Sequence, residues 1–286
     1  MITYVQAIIL GLLQGISELF PVSSLGHSVI LPRIFGWNIH QQDPFFLTFL
    51  VATHLATAIV LVGFFWADWR KIITGMGQSL LKREISASDL YAKLGWLLVV
   101  GTIPAGILGL LLQDPLRAVF ASAQSAAFFL IVNGIVLYGA EKLRQRTPVF
   151  NEKGQSDVRL AKLSWLKVGV IGAAQAVALI PGFSRSGAAM SGGLLVGFSN
   201  EDAARFSFLL ATPIIGAAAL LKIPELFRAE NHALVGPALV GALGSGLSAY
   251  IAVRFLTRFF QTNRLTPFAT YCVSAGIVFS LILLVR

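Results

Sequence analysis

Six long apolar runs separated by basic loops constrain this chain more than any other feature. A helix needs about 20 predominantly apolar residues to cross a hydrocarbon core of about 30 Å. Residues 45–66, 94–112, 118–140, 203–223, 233–255 and 266–285 each approach or exceed that length. Lipid offers no partner for a backbone N–H or C=O, so such runs are expected as helices with their hydrogen bonds closed internally. Only 12% of the residues are charged, against about 25% in soluble domains. The expected fold class is therefore an all-α polytopic membrane protein.

The charges orient it. The balance of 22 Lys and Arg against 13 Asp and Glu gives a net charge of +9. The basic residues sit between apolar runs and form no single patch, which argues against nucleic acid and for loops facing anionic lipid. A first polar loop follows residue 66 and carries Asp68, Arg70, Lys71, Lys82, Arg83, Glu84, Asp89 and Lys93, with a short apolar turn at 72–81. A second, at 141–167, carries Lys142, Arg144, Arg146, Lys153, Arg159, Lys162 and Lys167. Both flank the hairpin of spans two and three, whose tight turn is expected at 113–117, so both are cytoplasmic and Asp114 is outside. Arg254, Arg258 and Arg264 then fall inside. The count closes only if residues 5–35 and 168–200 each enter and leave on one side, the first from outside and the second from the cytoplasm. The single cysteine, Cys272, excludes an intrachain disulfide and a CxxC metal site, and reads as packing. The first residues have no basic leader or small-residue cleavage site and are expected in the mature fold.

Residues 11–28 break the apolar rule. Gln14, Glu18, Ser23, Ser24 and His27 interrupt a stretch otherwise built of Gly, Leu, Ile and Val. An ionisable group at membrane depth must face protein, water or a ligand, and is a functional candidate by default. The stretch also has a second copy. Gly11-x-x-Gln14 is answered by Gly172-x-x-Gln175, Pro21-x-x-Ser24 by Pro181-x-x-Ser184, and the Phe49 to Thr53 segment by Phe208 to Thr212, all offset by about 160 residues. A weaker match at Gly134 and Gly276 extends it. With three spans per half the copies have opposite orientation, the inverted repeat of many transporter folds. The expected organisation is one domain with repeat one at about 1–140, a basic linker at about 141–167 and repeat two at about 168–286. Each half is a re-entrant helical hairpin plus three spans.

Pro21 and Pro181 lack an N–H and favour a first helical turn, so they are expected to restart interrupted helices. Ser23, Ser24, Ser184 and Ser186 then fall where caps sit. Two such N-termini present free N–H groups and positive dipole ends to an anion. In Pro181-Gly182-Phe183-Ser184-Arg185-Ser186-Gly187, Gly182 and Gly187 permit close backbone approach and Arg185 offers a planar fork of donors for phosphate oxygens. Gln14 and Glu18, at i and i+4, share a helix face and could hold a water or a metal. A structural ion pair with Arg185 is the plain alternative for Glu18, and interhelical hydrogen bonding for Gln14 and Gln175. Ser24 and His27, at i and i+3, also share a face, so the imidazole could take a proton from the hydroxyl. His54 has no comparable company and reads as structural or supporting.

At these residues the chain resembles the bacterial undecaprenyl-diphosphate phosphatases of the bacitracin-resistance type. The family's (Glu/Gln)-x-x-x-Glu motif, followed by Pro-Val-Ser-Ser-x-Gly-His, is matched from Gln14 to Glu18 and Pro21 to His27, and its Pro-Gly-x-Ser-Arg-Ser-Gly motif from Pro181 to Gly187. The resemblance implies a plasma-membrane enzyme that hydrolyses a C55 isoprenyl diphosphate at the outer face and recycles the cell-wall lipid carrier. It implies Glu18, Ser24, His27 and Arg185 as catalytic residues, with Gln14, Ser23, Ser184, Ser186, Gly182 and Gly187 around the substrate. It also suggests a divalent cation, Mg²⁺ or Ca²⁺, with Glu18 as ligand; a homodimer is compatible with it. Gln14 stands where the family often has Glu, and Ala189 where the second motif commonly ends in Thr. Gln is neither a base nor a strong metal ligand, so Glu18 works alone. The rival is a transporter or flippase of a polyprenyl phosphate, which needs anion ligands but no nucleophile.

Overall fold

Thr3 starts the first helix with a capping box: its hydroxyl accepts from the Gln6 N–H while the Gln6 side chain accepts from the Thr3 N–H. From there the chain is helical wherever it is regular. The structure, a computed structural model, describes residues 2–39, 44–86, 88–120, 122–146, 156–228 and 232–285. In chain order the helices are α1 (Tyr4–Leu19), α2 (Ser24–Ile34), α3 (Pro44–Phe64), α4 (Trp66–Lys82), α5 (Leu90–Phe120) and α6 (Ala123–Arg146). There follow α7 (Ser156–Ala161), α8 (Trp165–Ala176), a 3₁₀ turn (Val177–Leu179), α9 (Arg185–Leu195), α10 (Asn200–Leu226), α11 (His232–Thr262) and α12 (Thr266–Val285). No strand occurs among the described residues. Helices α3, α5, α6, α10, α11 and α12 are long and apolar enough to cross a membrane, and α1 and α8 are shorter apolar helices. This is the architecture of a multi-pass membrane protein.

Three boundaries differ from those read in the sequence. The turn expected at 113–117 is absent, because α5 stays helical to Phe120 and α6 begins at Ala123. A proline after polar residues is ordinarily a stop, but a long membrane helix can carry one through. The apolar turn at 72–81 is the second half of α4, an amphipathic helix with Ile72, Gly75 and Ser79 buried and Ile73, Leu80 and Leu81 exposed. Its helical period was hidden by the charges that mark it as a loop. In the basic linker, α6 continues to Arg146, residues 147–155 with Lys153 lie outside the described residues, and Ser156–Ala161 form α7.

Small residues set how closely the helices approach. Helix α1 lies against α11 so tightly that a Cβ on Gly11 would sit 2.1 Å from the Gly241 carbonyl oxygen. Helix α8 lies against α5 in the same way, with a Cβ on Gly172 falling 2.4 Å from the Gly101 carbonyl oxygen. Helices α6 and α12 meet at Gly134 against the Ala269 carbonyl and at Gly276 against the Ala127 carbonyl. Such contacts replace the hydrophobic drive that lipid removes with close van der Waals packing. The main core is apolar, with Leu61, Leu97, Leu130, Phe206, Phe208 and Leu256 among its buried members.

One end of the bundle is tied by ion pairs. Arg205 on α10 reaches Asp68 of α4 at 2.9 Å and Asp157 of α7 at 2.5 Å, and Asp157 also accepts from the Tyr91 hydroxyl of α5. Arg159 and Ser156 both donate to Asp202. Burial alone would push the Asp157 carboxyl up, but the Tyr91 and Arg205 donors outweigh it and hold the group below its ordinary value.

Two outcomes are expected. Gly11→Ala lowers thermal stability in detergent by about 1–3 kcal/mol through overpacking, whereas Gly63→Ala, with nothing within 4 Å of the new Cβ, leaves it unchanged. For Asp157, a folded-state pKa below the unfolded value of about 3.9 means stability present above that pH and lost as pH falls through the folded value. Asp157→Asn is therefore less stable than the parent at pH 7, and melting curves of the two converge in acid.

Candidate active site

Two helix interruptions build the site, and each is caused by the residue that precedes a proline. The ring of Pro21 disfavours helical backbone at Phe20, which adopts ψ 136° and ends α1. Pro181 does the same to Ile180, at ψ 121°, just after the 3₁₀ turn. The prolines thus stand in the breaks and not, as the sequence suggested, in the first turn of the next helix. Ser23 is the N-cap of α2, its hydroxyl accepting from the Gly26 N–H at 3.1 Å; Ser184 caps α9 through the Gly187 N–H, also at 3.1 Å. Ser24 and Ser186 lie one and two residues inside their helices. The caps are one position out of step with the sequence repeat, which aligns Ser24 with Ser184. The backbone adjusts at φ 68° on Ser23 and φ 103° on Gly182. A side chain at Gly182 would also meet the Ala126 carbonyl at 2.3 Å, so only glycine fits.

Glu18, in the last turn of α1, is the centre of the site. It is 5% exposed, and both carboxylate oxygens are occupied. Oε1 accepts from Arg185 Nε at 3.0 Å and Nη2 at 2.8 Å, the fork arrangement that makes Arg the strongest partner of a carboxylate. Oε2 accepts from the Ser24 hydroxyl at 2.7 Å and lies 3.0 Å from His54 Nε2 of α3. His54 Nδ1 is 2.6 Å from the Leu50 carbonyl. Both His54 nitrogens therefore face acceptors, so a proton is shared between its Nε2 and Glu18. One carboxylate has two cationic neighbours, and the cluster favours an added anion. Arg185 Nη1 is buried without a partner among the described residues, the donor such an anion would take.

The remaining candidates divide into those that join this cluster and those that do not. Ser186 donates to the Phe20 carbonyl at 3.3 Å and lies 3.1 Å from the Ser184 hydroxyl, so it binds one break to the other. A Cβ on Gly187 would lie 3.2 Å from the ring of Pro21. His27 and Ser24 share a face, as their spacing requires, but are not paired. His27 Nδ1 sits 2.8 Å from the Ser23 carbonyl and Nε2 2.8 Å from the Tyr271 hydroxyl. A carbonyl only accepts, so Nδ1 carries the proton and neutral His27 accepts from Tyr271 through Nε2. Gln14 bonds the same helix, α3, one turn from His54, but joins none of Glu18's hydrogen bonds. Its carbonyl accepts from Thr57 at 3.2 Å and from Ser245, while its amide nitrogen is buried and unpartnered. That is the interhelical hydrogen bonding that was the plain alternative for it. Gln175 donates to the Gly101 carbonyl at 3.0 Å in like fashion.

The ion pair of Glu18 with Arg185 is thus present, and with it Glu18 has no free oxygen to offer a cation. Among the described residues no three His, Cys, Asp or Glu side chains form a group that could hold a metal. The donor set does not fit a resident divalent cation, and no step below runs through one.

Sequence reasoning left His54 as structural or supporting, without its partner, and missed Asn133 and Tyr271. His54 was visible as a polar residue at the middle of a span, directly after the repeated Phe49 to Thr53 segment, yet only the packing of α3 on α1 brings it to Glu18. Asn133, buried in α6, sits beside the repeated Gly134 and had a similar signal. Nothing local marked Tyr271.

Fold and site define a class: a multi-pass helical membrane protein with a buried ionic cluster at two interrupted helices. The chain belongs to the bacitracin resistance protein BacA family, whose model matches residues 7–278. It is 47% identical over 293 residues to an undecaprenyl-diphosphatase of Mycolicibacterium paratuberculosis, covering 96% of this chain and 95% of the relative. It is 45% identical over 278 residues to undecaprenyl-diphosphatase 2 of Chromobacterium violaceum, covering 96% of each. The Frankia alni protein named undecaprenyl-diphosphatase 2 is 40% identical over 332 residues, again 96% of each.

Because Gln14 ties α1 to Thr57 of α3 and Ser245 of α11, Gln14→Ala removes the acceptor that joins the three helices, while both hydroxyls keep the Thr53 carbonyl. The expected result is a loss of about 1–3 kcal/mol in stability with kcat and KM unchanged, whereas His54→Phe, which strips the buried Glu18 carboxylate of a donor, lowers both the melting temperature and kcat. Paired melting and steady-state measurements separate the two.

Proposed function

We propose that this protein hydrolyses undecaprenyl diphosphate to undecaprenyl phosphate and inorganic phosphate through Ser24, Glu18 and Arg185. The reaction recycles the lipid carrier of cell-wall synthesis, and the family's link to bacitracin resistance accords with it. The observation that carries the residue assignment is that the Ser24 hydroxyl already donates to Glu18 beside an arginine with an unpartnered Nη1.

In this reading the terminal phosphate lies against Arg185 Nη1 and the first N–H groups of α2 and α9, which have no carbonyl one turn earlier to bind. Ser24 Oγ attacks the terminal phosphorus, the P–O bond to the bridging oxygen breaks, and undecaprenyl phosphate departs with that electron pair. The Ser24 proton passes to Glu18 Oε2. A carboxylate flanked by Arg185 and His54 is a weak base, but a loose phosphoryl-transfer transition state asks little of one. Water then attacks the phosphoserine phosphorus, the P–Oγ bond breaks, the proton held by Glu18 returns to Ser24 Oγ, and the phosphate leaves with both protons of the water. His27, directed to Ser23 and Tyr271, serves the geometry of the first break instead of deprotonating Ser24.

The two halves are read as an inverted repeat of re-entrant hairpin plus three spans, in a plasma membrane, with the site open to the outer face. Three features support this: the recurring motifs, the matching approach of α1 to α11 and of α8 to α5, and the reciprocal Gly134 and Gly276 contacts. The basic loops support the orientation. A carrier would have no need of the Ser24 to Glu18 hydrogen bond, which favours the hydrolase over the transporter.

Purified protein given a C55 or C15 isoprenyl diphosphate is expected to release phosphate. Arg185→Lys and Ser24→Ala lower kcat by about 10²–10⁴-fold, and Ser24→Ala leaves no acid-stable phosphoprotein. Absence of phosphate release from the parent, with or without divalent cations, would overturn the reading; activity in Ser24→Ala near that of the parent would overturn the nucleophile.

A further inference from the structure

Each interruption exposes backbone groups that no helix satisfies, and one side chain takes one from each. Asn133 lies on α6, is 2% exposed, and belongs to neither motif. Its Nδ2 donates to the Pro21 carbonyl in the first break at 3.0 Å, and its Oδ1 accepts from the Ser184 N–H in the second at 3.1 Å. An asparagine is suited to this, since its amide is both donor and acceptor on one rigid plane. The N-cap residue's own N–H lies outside the helical ladder, so Ser184 depends on this bond.

Resting on the phosphatase reading above, we infer that Asn133 is a positioning residue for the reaction: it fixes the register between the two breaks, and so sets Ser24 and Glu18 against Arg185. Other links between the breaks include the Glu18 to Arg185 ion pair and the Ser186 to Phe20 hydrogen bond. The ion pair joins long side chains and holds charge together without fixing the backbones. Asn133 acts on the backbones themselves, two residues before Ser23 on one side and one before Arg185 on the other. The close approach of Gly26 to Gly182, where a Cβ on Gly26 would lie 3.0 Å from the Gly182 Cα, leaves little room for the breaks to slide once it is in place. Cys272 Sγ, 3.3 Å from Nδ2, packs the amide against α12.

The test uses full-length protein in detergent with a C15 diphosphate. Asn133→Ala and the volume-filling Asn133→Leu are compared with Gly134→Ala, whose new Cβ would meet the Ala269 carbonyl at 2.7 Å and disturb the same helix pair without touching either break. Either folded Asn133 variant is expected to lose about 10- to 100-fold in kcat, as a misplacement near 1 Å does. KM stays within about threefold, and the melting temperature falls less than in Gly134→Ala, which keeps its kcat per folded molecule. Hydrogen exchange, read independently of activity, rises in peptides covering residues 20–24 and 182–186 and nowhere else. A kcat within about twofold of the parent, a fall in activity fully accounted for by the smaller folded fraction, or exchange raised along the whole of α6 and α12 would each overturn the inference. A parent that releases no phosphate would sink the phosphatase reading, while the exchange pattern still decides the clamp.

Discussion

A carboxylate sealed from water and shared among three donors is what the rest of this structure serves. Glu18 is nearly inaccessible, and removing such a group from water is expensive unless its oxygens are fully satisfied. Arg185, Ser24 and His54 provide that satisfaction from α9, α2 and α3, so the cluster exists only when four helices have met. Holding two cationic groups to one carboxylate leaves it short of negative charge. In the proposed reaction a diphosphate headgroup supplies what is missing, and its lipid tail accords with a cluster embedded in an apolar bundle.

Delivering these groups requires helices that stop inside the protein. A stopped helix leaves bare backbone, which lipid does not tolerate unless protein covers it. Two devices provide the cover. Small residues let α1 settle on α11, and α8 on α5, closely enough to cover the interrupted helices. Polar side chains from the spans, Asn133 above all, then pair with the carbonyl and N–H groups that the breaks expose. The polar knot of Gln14, Thr57 and Ser245 does comparable work one turn before Glu18, tying α1 to α3 and α11.

Much of this was legible before any coordinates. The spans could be read because hydrocarbon demands about 20 apolar residues, and span six, Thr266–Val285, begins and ends where the sequence placed it. Glu18, Ser24 and Arg185 stood out because polar groups in an apolar run need a reason. What could not be read was partnership. The i, i+3 spacing puts Ser24 and His27 on one face, but a face is broad, and the imidazole finds Ser23 and Tyr271 while the hydroxyl finds Glu18. His54 is remote from Glu18 along the chain and reaches it only through helix packing. The turn at 113–117 failed for a related reason: a local stop signal was overridden by a long helix.

The sequence by itself determined the class of fold and the places where the helices break. Both follow from short-range physics: the transfer of apolar side chains into lipid, and the steric clash of a proline ring with the residue before it at Phe20 and Ile180. Tertiary structure alone decided which donor faces which acceptor. Those choices depend on side-chain direction and on sub-ångström helix approach, set jointly by residues more than a hundred positions apart, as when Asn133 reaches Pro21 and Glu18 reaches Arg185. No local rule carries that information, because the groups become neighbours only once the helices have packed.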